Sequence, residues 1–413
     1  MIKRIPVNDL EIGMYVVDFD RPWIDTPFLF HKFLIKSTKE IDKIKKYDIR
    51  FIEIDTEKGR DHKKAVPMEE VNRKIDENIK KDIKQIEALH SEEMDEIPFE
   101  EEIEESKRIY NEAKNVVKNV MNSVRIGKNI DVEKVNGVVD NMIDSLYRNK
   151  NTLLSLSRLK DFDEYTFFHS INVSILSLAM GKHMGYPRSD LQIIGRGGLL
   201  HDIGKVKIPE TIFNKIVSLT EDEFSLIKRH VEFGVDILSS SGDVPQKSLI
   251  MASQHHERYD GRGYPKGLAG EQITTFGVIA GLADVFDAVT TERTYQRAKL
   301  PYEGLRILYK LKGAFPDDLL EKFIQCMGIF PVGSLVELDT GDIGIVIAVN
   351  HKELLQPRVK LIFNRKMIRY QKTIIVDLSE KKSDGSDYQI KVVNTLNPRD
   401  MGIDPDKYIN ALT

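Results

Sequence analysis

The chain has 413 residues, of which 41% are hydrophobic and 31% charged, and its formal net charge is −4 at pH 7. That length exceeds one ordinary core, so we expect two or three domains, and the mild acidity argues against bulk electrostatic binding of DNA. No stretch of signal-peptide character opens the chain and no 18 apolar residues run together, so we expect no membrane span. The single cysteine, Cys326, excludes an internal disulfide, and together these features predict a cytoplasmic protein.

Residues 1–58 read as a small α+β regulatory module. The segments "GMYVVDF" and "RFIEID" are strand-like, and between them "STKEIDKIKKY" predicts a helix that Ser37 and Glu40 open with a capping box. Residues 59–105 are dense in both charges and poor in aromatics. This composition favours a charged, solvated linker with some helix over an acidic binding tail.

Residues 106–149 are predicted to form connecting helices, because apolar residues recur there at helical spacing from residue 100 onward. The two apolar stripes are Ile103, Tyr110, Val117, Met121 and Val124, and Val132, Val135, Val139, Met142, Ile143 and Leu146. Such helices could dock on the next domain or pair with another chain. We therefore expect a possible homodimer through helices 100–149.

Residues 150–330 are almost entirely helical in pattern. Ser189 and Thr220 are predicted N-caps, the latter with Glu223 in a capping box, and Pro301 marks another helix start. Residues 331–413 change to strand patterns, with a turn at 339–342, and predict a small β-barrel or meander. The fold class expected is multidomain α+β: a mainly α-helical central domain, a small N-terminal α+β module and a small C-terminal β domain.

Six of the ten histidines fall in the helical domain, and five of them are candidate ligands: His169, His201, His230, His255 and His256. The sixth, His183, looks like a C-terminal helix cap, and we assign no chemistry to it or to the four histidines outside the domain. Asp202 follows His201 in "LLHDIGK", where the predicted helix ends at a glycine. This position predicts an exposed imidazole–carboxylate pair. Asp284 lies in an apolar helix with Asp287 three residues on, and a buried carboxylate must be paired or bind a metal. A lone histidine would more often be a core residue, but this concentration predicts a site for Zn, Fe, Mn or Ni.

In chain order, "HDIGK", "HHERYDGRGYP" and "ADVFDAVTTERTY" resemble the motifs of the HD superfamily of metal phosphohydrolases. The second motif resembles the signature of its HD-GYP branch, whose members hydrolyse cyclic dinucleotides, chiefly cyclic di-GMP. The resemblance spans about residues 150–330 and implies an HD-type helical bundle as the catalytic domain. The N-terminal module looks like the small domain of unknown function that often precedes such domains.

The resemblance implies two divalent transition metals, Fe or Mn in the first place, and a bridging hydroxide that attacks cyclic di-GMP to give pGpG or GMP. The implied metal ligands are His169, His201, Asp202, His230, His255, His256 and Asp284, with Asp202 bridging. His169, His201 and Asp284 would complete one coordination sphere, and the three remaining histidines the other. Asp202 and Lys205 are the implied catalytic residues, and Lys205, Tyr264, Asp287 and Arg293 the implied substrate contacts.

The chain departs from the family pattern at two positions. Some members hold a third metal with a glutamate four residues before the first histidine, where this chain has Tyr165, with Glu164 one residue away. Gln296 stands where a lysine is common, so one phosphate contact is missing or comes from Arg297. The alternatives that remain are a catalytically silent cyclic di-GMP receptor, a phosphodiesterase for another cyclic dinucleotide and an HD nucleotidase, although the GYP stretch argues against the last.

Overall fold

The computed structural model describes most of the chain. The described residues are 1–20, 26–28, 32–47, 49–86, 96–157, 165–213, 215, 219–242, 244–291, 298–350, 353–383 and 388–409. No described helix is both long and apolar enough to cross a bilayer.

The N-terminal part is a five-stranded antiparallel sheet with strand order β3-β2-β4-β1-β5 and one helix, α1. Its elements are β1 (Ile2–Pro6), β2 (Tyr15–Phe19), β3 (Phe33–Leu34), α1 (Thr38–Lys45), β4 (Phe51–Asp55) and β5 (Val66–Pro67). Alternating residues such as Ile52 and Ile54 are fully buried, which gives the sheet a core of its own. The predicted capping box at Ser37 and Glu40 is present. The sheet extends past the predicted boundary at residue 58, because β5 pairs with β1.

Four helices follow: α2 (Met68–Ile86), α3 (Phe99–Arg125), α4 (Val132–Arg148) and α5 (Lys150–Leu156). The predicted linker therefore contains a long helix, α2, and α3 runs uninterrupted across the predicted boundary at 105/106. Arg306 on a later helix pairs bidentately with Asp76 of α2, at 2.7 and 2.6 Å. This partly buried ion pair anchors α2 to the helical domain.

The apolar stripes of α3 and α4 are buried inside the chain itself. Tyr110 is 6% exposed and Val135 and Met142 are fully buried, all in one core that also holds residues of the helices that follow α5. These faces therefore dock on the next domain, the other alternative that the pattern left open, and a homodimer through helices 100–149 stays a prediction.

The central bundle consists of nine helices among the described residues. They are α6 (Tyr165–His183), α7 (Arg188–Leu200), α8 (Glu210–Phe213), α9 (Glu221–Lys228), α10 (His230–Ser240), α11 (Gln246–Gln254), α12 (Thr275–Thr290), α13 (Pro301–Lys310) and α14 (Asp317–Met327). Helices α6 and α12 are buried on all sides over residues 168–181 and 277–289, so they form the centre of the bundle. The sequence of each is accordingly apolar with scattered small residues.

The predicted helix caps are correct in two cases and wrong in one. The Thr220–Glu223 capping box is present, and Pro301 is the first residue of α13. Helix α7, however, begins at Arg188 with Pro187 as its N-cap, so Ser189 lies inside the first turn. The restricted φ of Pro187 suits the change from extended to helical backbone, so Ser189 is not needed as an N-cap.

The C-terminal part is a second antiparallel sheet with order β10-β6-β7-β8-β9, and a short helix, α15 (Pro405–Ile409), follows it. Its strands are β6 (Leu335–Leu338), β7 (Ile343–Ala348), β8 (Arg358–Phe363), β9 (Ile375–Asp377) and β10 (Val392–Leu396). The predicted turn at 339–342 joins β6 to β7. In the described part of the chain β10 and β9 are the edges, so the pairing that would close a barrel is not among the described strands.

A single glycine controls how closely α10 crosses the 3₁₀ turn Ile203–Lys207. A Cβ atom on Gly204 would lie 1.9 Å from the carbonyl oxygen of His230 and 2.4 Å from the amide nitrogen of Gly234. Neither neighbour is a flexible side chain, so the backbones would have to separate.

We predict that Gly204→Ala lowers the free energy of unfolding by about 3 kcal/mol, as overpacking of a dense core does. The matched control is Gly137→Ala on α4, where nothing lies within 4 Å of the added methyl group. That variant should gain about 0.5–1 kcal/mol, because alanine favours the helix. Urea unfolding followed by circular dichroism measures both, and equal stability of the two variants would contradict the packing argument.

Candidate metal centre

The proposed metal ligands converge at one point inside the bundle. Helices α6 and α12 contribute from their interiors, α7 and α11 from their C-terminal ends and α10 from its first residue. The residues are His169, His201, Asp202, His230, His255, His256 and Asp284. Each has at most 1% of its surface exposed.

The expectation of an exposed helix end at His201 and Asp202 is wrong, because both residues are buried. Helix α10 lies directly over the turn that follows α7, and Gly204 allows that close approach. The pair therefore faces the interior of the bundle and not solvent. In this setting its charge must be compensated locally.

Three imidazoles are oriented in the same way, with Nδ1 donating to the carbonyl oxygen three residues before. The pairs are His201 with Gly198 at 2.8 Å, His230 with Ile227 at 2.7 Å and His255 with Ala252 at 2.8 Å. A carbonyl only accepts, so Nδ1 carries the proton and Nε2 presents a lone pair to the cluster. This is the tautomer that a metal-binding imidazole needs.

The two oxygens of Asp202 face two different groups of imidazoles. Oδ2 lies 3.2 Å from His201 Nε2 and 3.5 Å from His169 Nε2. Oδ1, in contrast, lies 3.2 Å from His230 Nε2 and 3.9 Å from His255 Nε2. His169, His201 and Asp202 form one group of potential ligands, and His230, His255 and His256 another. Asp202 therefore stands between the two groups.

Asp284 reaches both groups from α12. Its Oδ1 lies 3.0 Å from His169 Nε2 and its Oδ2 lies 3.7 Å from His256 Nδ1. This carboxylate closes the cluster on the side opposite α10. The seven side chains thus enclose one polar volume in an apolar bundle.

The donor set fits divalent metal ions. Asp202 Oδ1, His201 Nε2, both oxygens of Asp284 and both ring nitrogens of His256 are buried and form no hydrogen bond with the described residues. Within each group the ligand atoms lie within 4.8 Å of one another. Metal–nitrogen and metal–oxygen bonds of about 2.0–2.2 Å place ligand atoms at comparable separations.

The protonation states of four of the ligands also suit metal binding. Burial lowers the pKa of His255 and of His256 well below the usual value, so both rings are neutral. Burial by itself raises the pKa of Asp202, but Lys205 and His201 outweigh it and bring that pKa well below its usual value. For Asp284, His169 outweighs burial in the same way and lowers the pKa to about 2. Neutral imidazoles and ionised carboxylates are the forms that bind cations. Burial alone would lower the pKa of His169, but Asp284 and Asp287 outweigh it and raise that pKa to about 9, so this ring must release a proton before Nε2 can bind a metal.

Two of the predicted substrate contacts lie beside the cluster. Lys205 donates from Nζ to Asp202 Oδ2, and its side chain is 11% exposed. The ring of Tyr264 stacks on His256, with centroids 4.5 Å apart. Lys228, which the sequence did not single out, places its ammonium 5.7 Å from the centre of the Tyr264 ring. An anion approaching His256 would thus meet a tyrosine and an ammonium group.

The prediction of Asp287 as a substrate contact is corrected by its surroundings. Asp287 is 2% exposed, and it lies behind His169 with Oδ2 2.7 Å from His169 Nδ1. Asn172 Nδ2 and Thr291 Oγ1 donate to Oδ1, at 2.8 and 3.0 Å. Three partners therefore engage this carboxylate on the side of His169 away from the cluster. It orients His169, because Asp284 and Asp287, one helical turn apart, lie against its two ring nitrogens.

Several predicted positions lie outside the described residues. Arg293, Gln296 and Arg297 are among them, as are Glu164 and the side chain of Tyr165. Of the five histidines to which we assign no chemistry, His31, His90 and His351 also lie outside, and His62 is described in the N-terminal part. His183, the last residue of α6, contacts Gln325 Oε1 at 3.1 Å.

Sequence reasoning missed the residues that shape the loop after His256. The buried carboxylate of Glu257 accepts from the amides of Lys266 and Leu268, at 2.8 and 2.9 Å. A Cβ atom on Gly263 would lie 2.4 Å from the amide nitrogen of Arg258. The loop thus folds back on Glu257, and this conformation holds Tyr264 against His256. The only sequence signal was the concentration of glycines.

The N-terminal part touches both segments that flank this site. Arg50 Nη2 lies 3.3 Å from Asp260 Oδ2 in the loop after His256. On the other side Lys46 pairs with Glu221 at 2.7 Å, and Tyr47 packs edge-on against Phe224 of α9, which leads to His230. The N-terminal part contributes none of the clustered ligands in the described chain, but it contacts the segments next to His230 and His256.

We predict two bound metal ions per chain in the wild-type protein and at most one in Asp202→Asn. The substitution keeps the shape of the side chain but removes the charge that both groups share. Elemental analysis after gel filtration measures the metal content, with circular dichroism as a check of folding. Asp190→Asn is the control, because Asp190 lies in the first turn of α7 and pairs only with Lys247 among the described residues. Full metal content in Asp202→Asn would show that this carboxylate is not a shared ligand.

Three sequence families match successive parts of the chain. A domain of unknown function, DUF3391, matches residues 2–135, an HD domain matches residues 141–317 and a KOW domain associated with the HD domain matches residues 335–399. All seven clustered residues fall within the HD match.

Curated relatives show the same relationship. A cyclic di-GMP phosphodiesterase of Pseudomonas aeruginosa is 34% identical over 365 residues, which covers 88% of this chain and 86% of that protein. The cyclic di-GMP phosphodiesterase response regulator RpfG of Xanthomonas campestris is 37% identical over 41% of this chain and 46% of its own length. A 3′3′-cGAMP-specific phosphodiesterase of Vibrio cholerae is 37% identical over 31% of this chain and 25% of its own length. With near-complete coverage by the Pseudomonas relative and the HD match over the clustered residues, the chain belongs to the HD-GYP family of HD-domain proteins.

Proposed function

We propose that this protein hydrolyses cyclic di-GMP at the buried cluster. The observation that carries the proposal is the place of Asp202, whose two oxygens face two separate groups of imidazoles. Hydrolysis of a phosphodiester by a two-metal site needs a ligand shared in this way. Relatives whose names carry this activity, in Pseudomonas and Xanthomonas, match 88% and 41% of this chain.

Two divalent metals held by these groups would supply a nucleophile at neutral pH, by lowering the pKa of a bound water, and positive charge for the phosphate. The chain's own residues hold and orient the reactants. Lys205, at the edge of the cluster, is placed to contact a phosphate oxygen once metals engage Asp202. Tyr264 and Lys228 line the approach to His256, where they would orient an anionic substrate.

We propose Fe or Mn as the metals. The set mixes five imidazoles with two carboxylates and contains no thiolate, since Cys326 is buried elsewhere. Imidazole suits Fe as it suits Zn and Ni, and carboxylate suits Mn. The ligand set therefore accepts Fe or Mn, and the family resemblance is the reason for choosing these two. We also propose a cytoplasmic location, for which the chain's single cysteine is the supporting observation.

A second candidate substrate is another cyclic dinucleotide. The Vibrio relative, named as specific for 3′3′-cGAMP, matches 31% of this chain at 37% identity. Both dinucleotides carry two phosphodiesters, so the metal ligands suit either. The bases must then be told apart by residues around the opening, such as those of the loop after His256.

We predict that the purified protein with Mn(II) or Fe(II) converts cyclic di-GMP to linear pGpG or GMP, and that Asp202→Asn slows this by about 100-fold or more. Chromatography of the products, with 3′3′-cGAMP in parallel, measures the rates. Asp190→Asn should match the wild-type protein. Binding of cyclic di-GMP without turnover would instead make the protein a silent receptor, and faster turnover of 3′3′-cGAMP would change the assigned substrate.

We further propose that residues 1–67 form a regulatory module that tunes the rate without supplying chemistry. The supporting contacts are Arg50 with Asp260 and Lys46 with Glu221, on opposite sides of the site. These contacts also support a division into the module, the helices up to residue 149, the HD-type bundle at 150–330 and the C-terminal sheet at 331–413.

Arg50→Ala should therefore raise the KM for cyclic di-GMP by about two- to five-fold, the size expected for one exposed ion pair, and leave kcat unchanged. Lys3→Ala serves as the control, because Lys3 pairs with Asp61 within the module, at 2.6 Å. Steady-state kinetics at matched metal content measure both variants. An unchanged KM in Arg50→Ala would mean that the module does not act through this contact.

A further inference from the structure

A chain of buried hydrogen bonds runs from helix α3 to the metal-binding cluster. Tyr110 Oη donates to Asn172 Oδ1 at 2.8 Å, and Asn172 Nδ2 donates to Asp287 Oδ1 at 2.8 Å. Asp287 Oδ2 lies 2.7 Å from His169 Nδ1. Tyr110 is 6% exposed, and the three residues that follow it in the chain of bonds are 0–2% exposed.

The direction of each bond is fixed by its ends. An ionised carboxylate only accepts, so Asn172 must turn its amide NH₂ toward Asp287 and its oxygen toward Tyr110. Burial raises the pKa of Tyr110 far above its usual value, which keeps the hydroxyl a donor at every working pH. Asn172 and His169 therefore both donate to Asp287. The bond from His169 keeps its proton on Nδ1. His169 Nε2 then faces the cluster.

Tyr110 lies outside the catalytic domain in sequence. It belongs to α3, within the DUF3391 match at 2–135 and before the HD match at 141–317. Its ring stacks on Phe168, the residue before His169, with centroids 6.1 Å apart and planes at 19°. Both its ring and its hydroxyl thus meet the segment that carries the first metal ligand.

We propose that Tyr110 is a positioning residue of the metal centre: through Asn172 and Asp287 it sets how firmly His169 is presented to the metal. The inference rests on one part of the proposed function, namely that the cluster binds metal. Removing the hydroxyl leaves Asn172 Oδ1 buried without its donor, which frees the amide to turn and weakens the hold on Asp287. Residues behind a metal-binding imidazole typically change metal affinity by about 10–100-fold when they are replaced.

The test is Tyr110→Phe in the full-length chain, which keeps the ring and its stacking on Phe168. We expect its metal to be lost to a chelator about ten-fold faster than in the wild-type protein, at the same far-ultraviolet circular dichroism. The control is Tyr147→Phe, because Tyr147 lies on neighbouring α4, is 37% exposed and forms no hydrogen bond through its hydroxyl with the described residues. That variant should lose metal at the wild-type rate.

A double-mutant cycle separates positioning from general packing. In an Asp287→Asn background the Tyr110→Phe substitution should have no further effect on metal loss, because the path to His169 is already cut. Equal metal retention in Tyr110→Phe and the wild-type protein, or full additivity with Asp287→Asn, would overturn the inference. A protein that retains metal but leaves cyclic di-GMP intact would refute the proposed function alone, whereas one that binds no metal would refute both.

Discussion

The structure depends on the burial of two carboxylates, Asp202 and Asp284, among five imidazoles. An isolated ionised carboxylate in an apolar interior is costly by several kcal/mol, so such groups persist only when cations or donors surround them. Here Lys205 compensates Asp202 from one side. The remaining compensation must come from cations at the positions that the imidazole nitrogens define. Metal binding and the stability of the bundle centre are therefore two aspects of one electrostatic requirement.

The rest of the bundle serves to hold those side chains in place. Three histidines are fixed by the carbonyl oxygens of the residues three positions before them, so their orientation needs no further partner. His169 is different, because it lies in the middle of α6, where the backbone carbonyls are used by the helix. Its Nδ1 is held by Asp287 from α12 instead. This difference explains why the first ligand depends on a hydrogen-bond network that reaches α3, while the others do not.

Sequence alone predicted much of this arrangement. The order of the motifs indicated the family, and the density of histidines and aspartates indicated a metal site. The predictions from sequence failed where a residue's environment depends on contacts between distant segments. The expected exposure of His201 was wrong because α10 covers the turn. The pattern also could not tell that the α3 and α4 stripes dock on the helices that follow. Asp287 was misassigned because spacing within one helix cannot tell which side of a neighbouring imidazole a carboxylate will meet. Tyr110 and Asn172 are 62 residues apart, and no local pattern links them.

The most direct test of the account is a crystal structure of the metal-loaded protein with anomalous diffraction at the metal absorption edge. The account predicts two anomalous peaks, one beside each carboxylate oxygen of Asp202, with the ligands of the two peaks divided as the imidazole groups are. A single peak, or two peaks of which only one contacts Asp202, would contradict the claim that this carboxylate joins two metal sites.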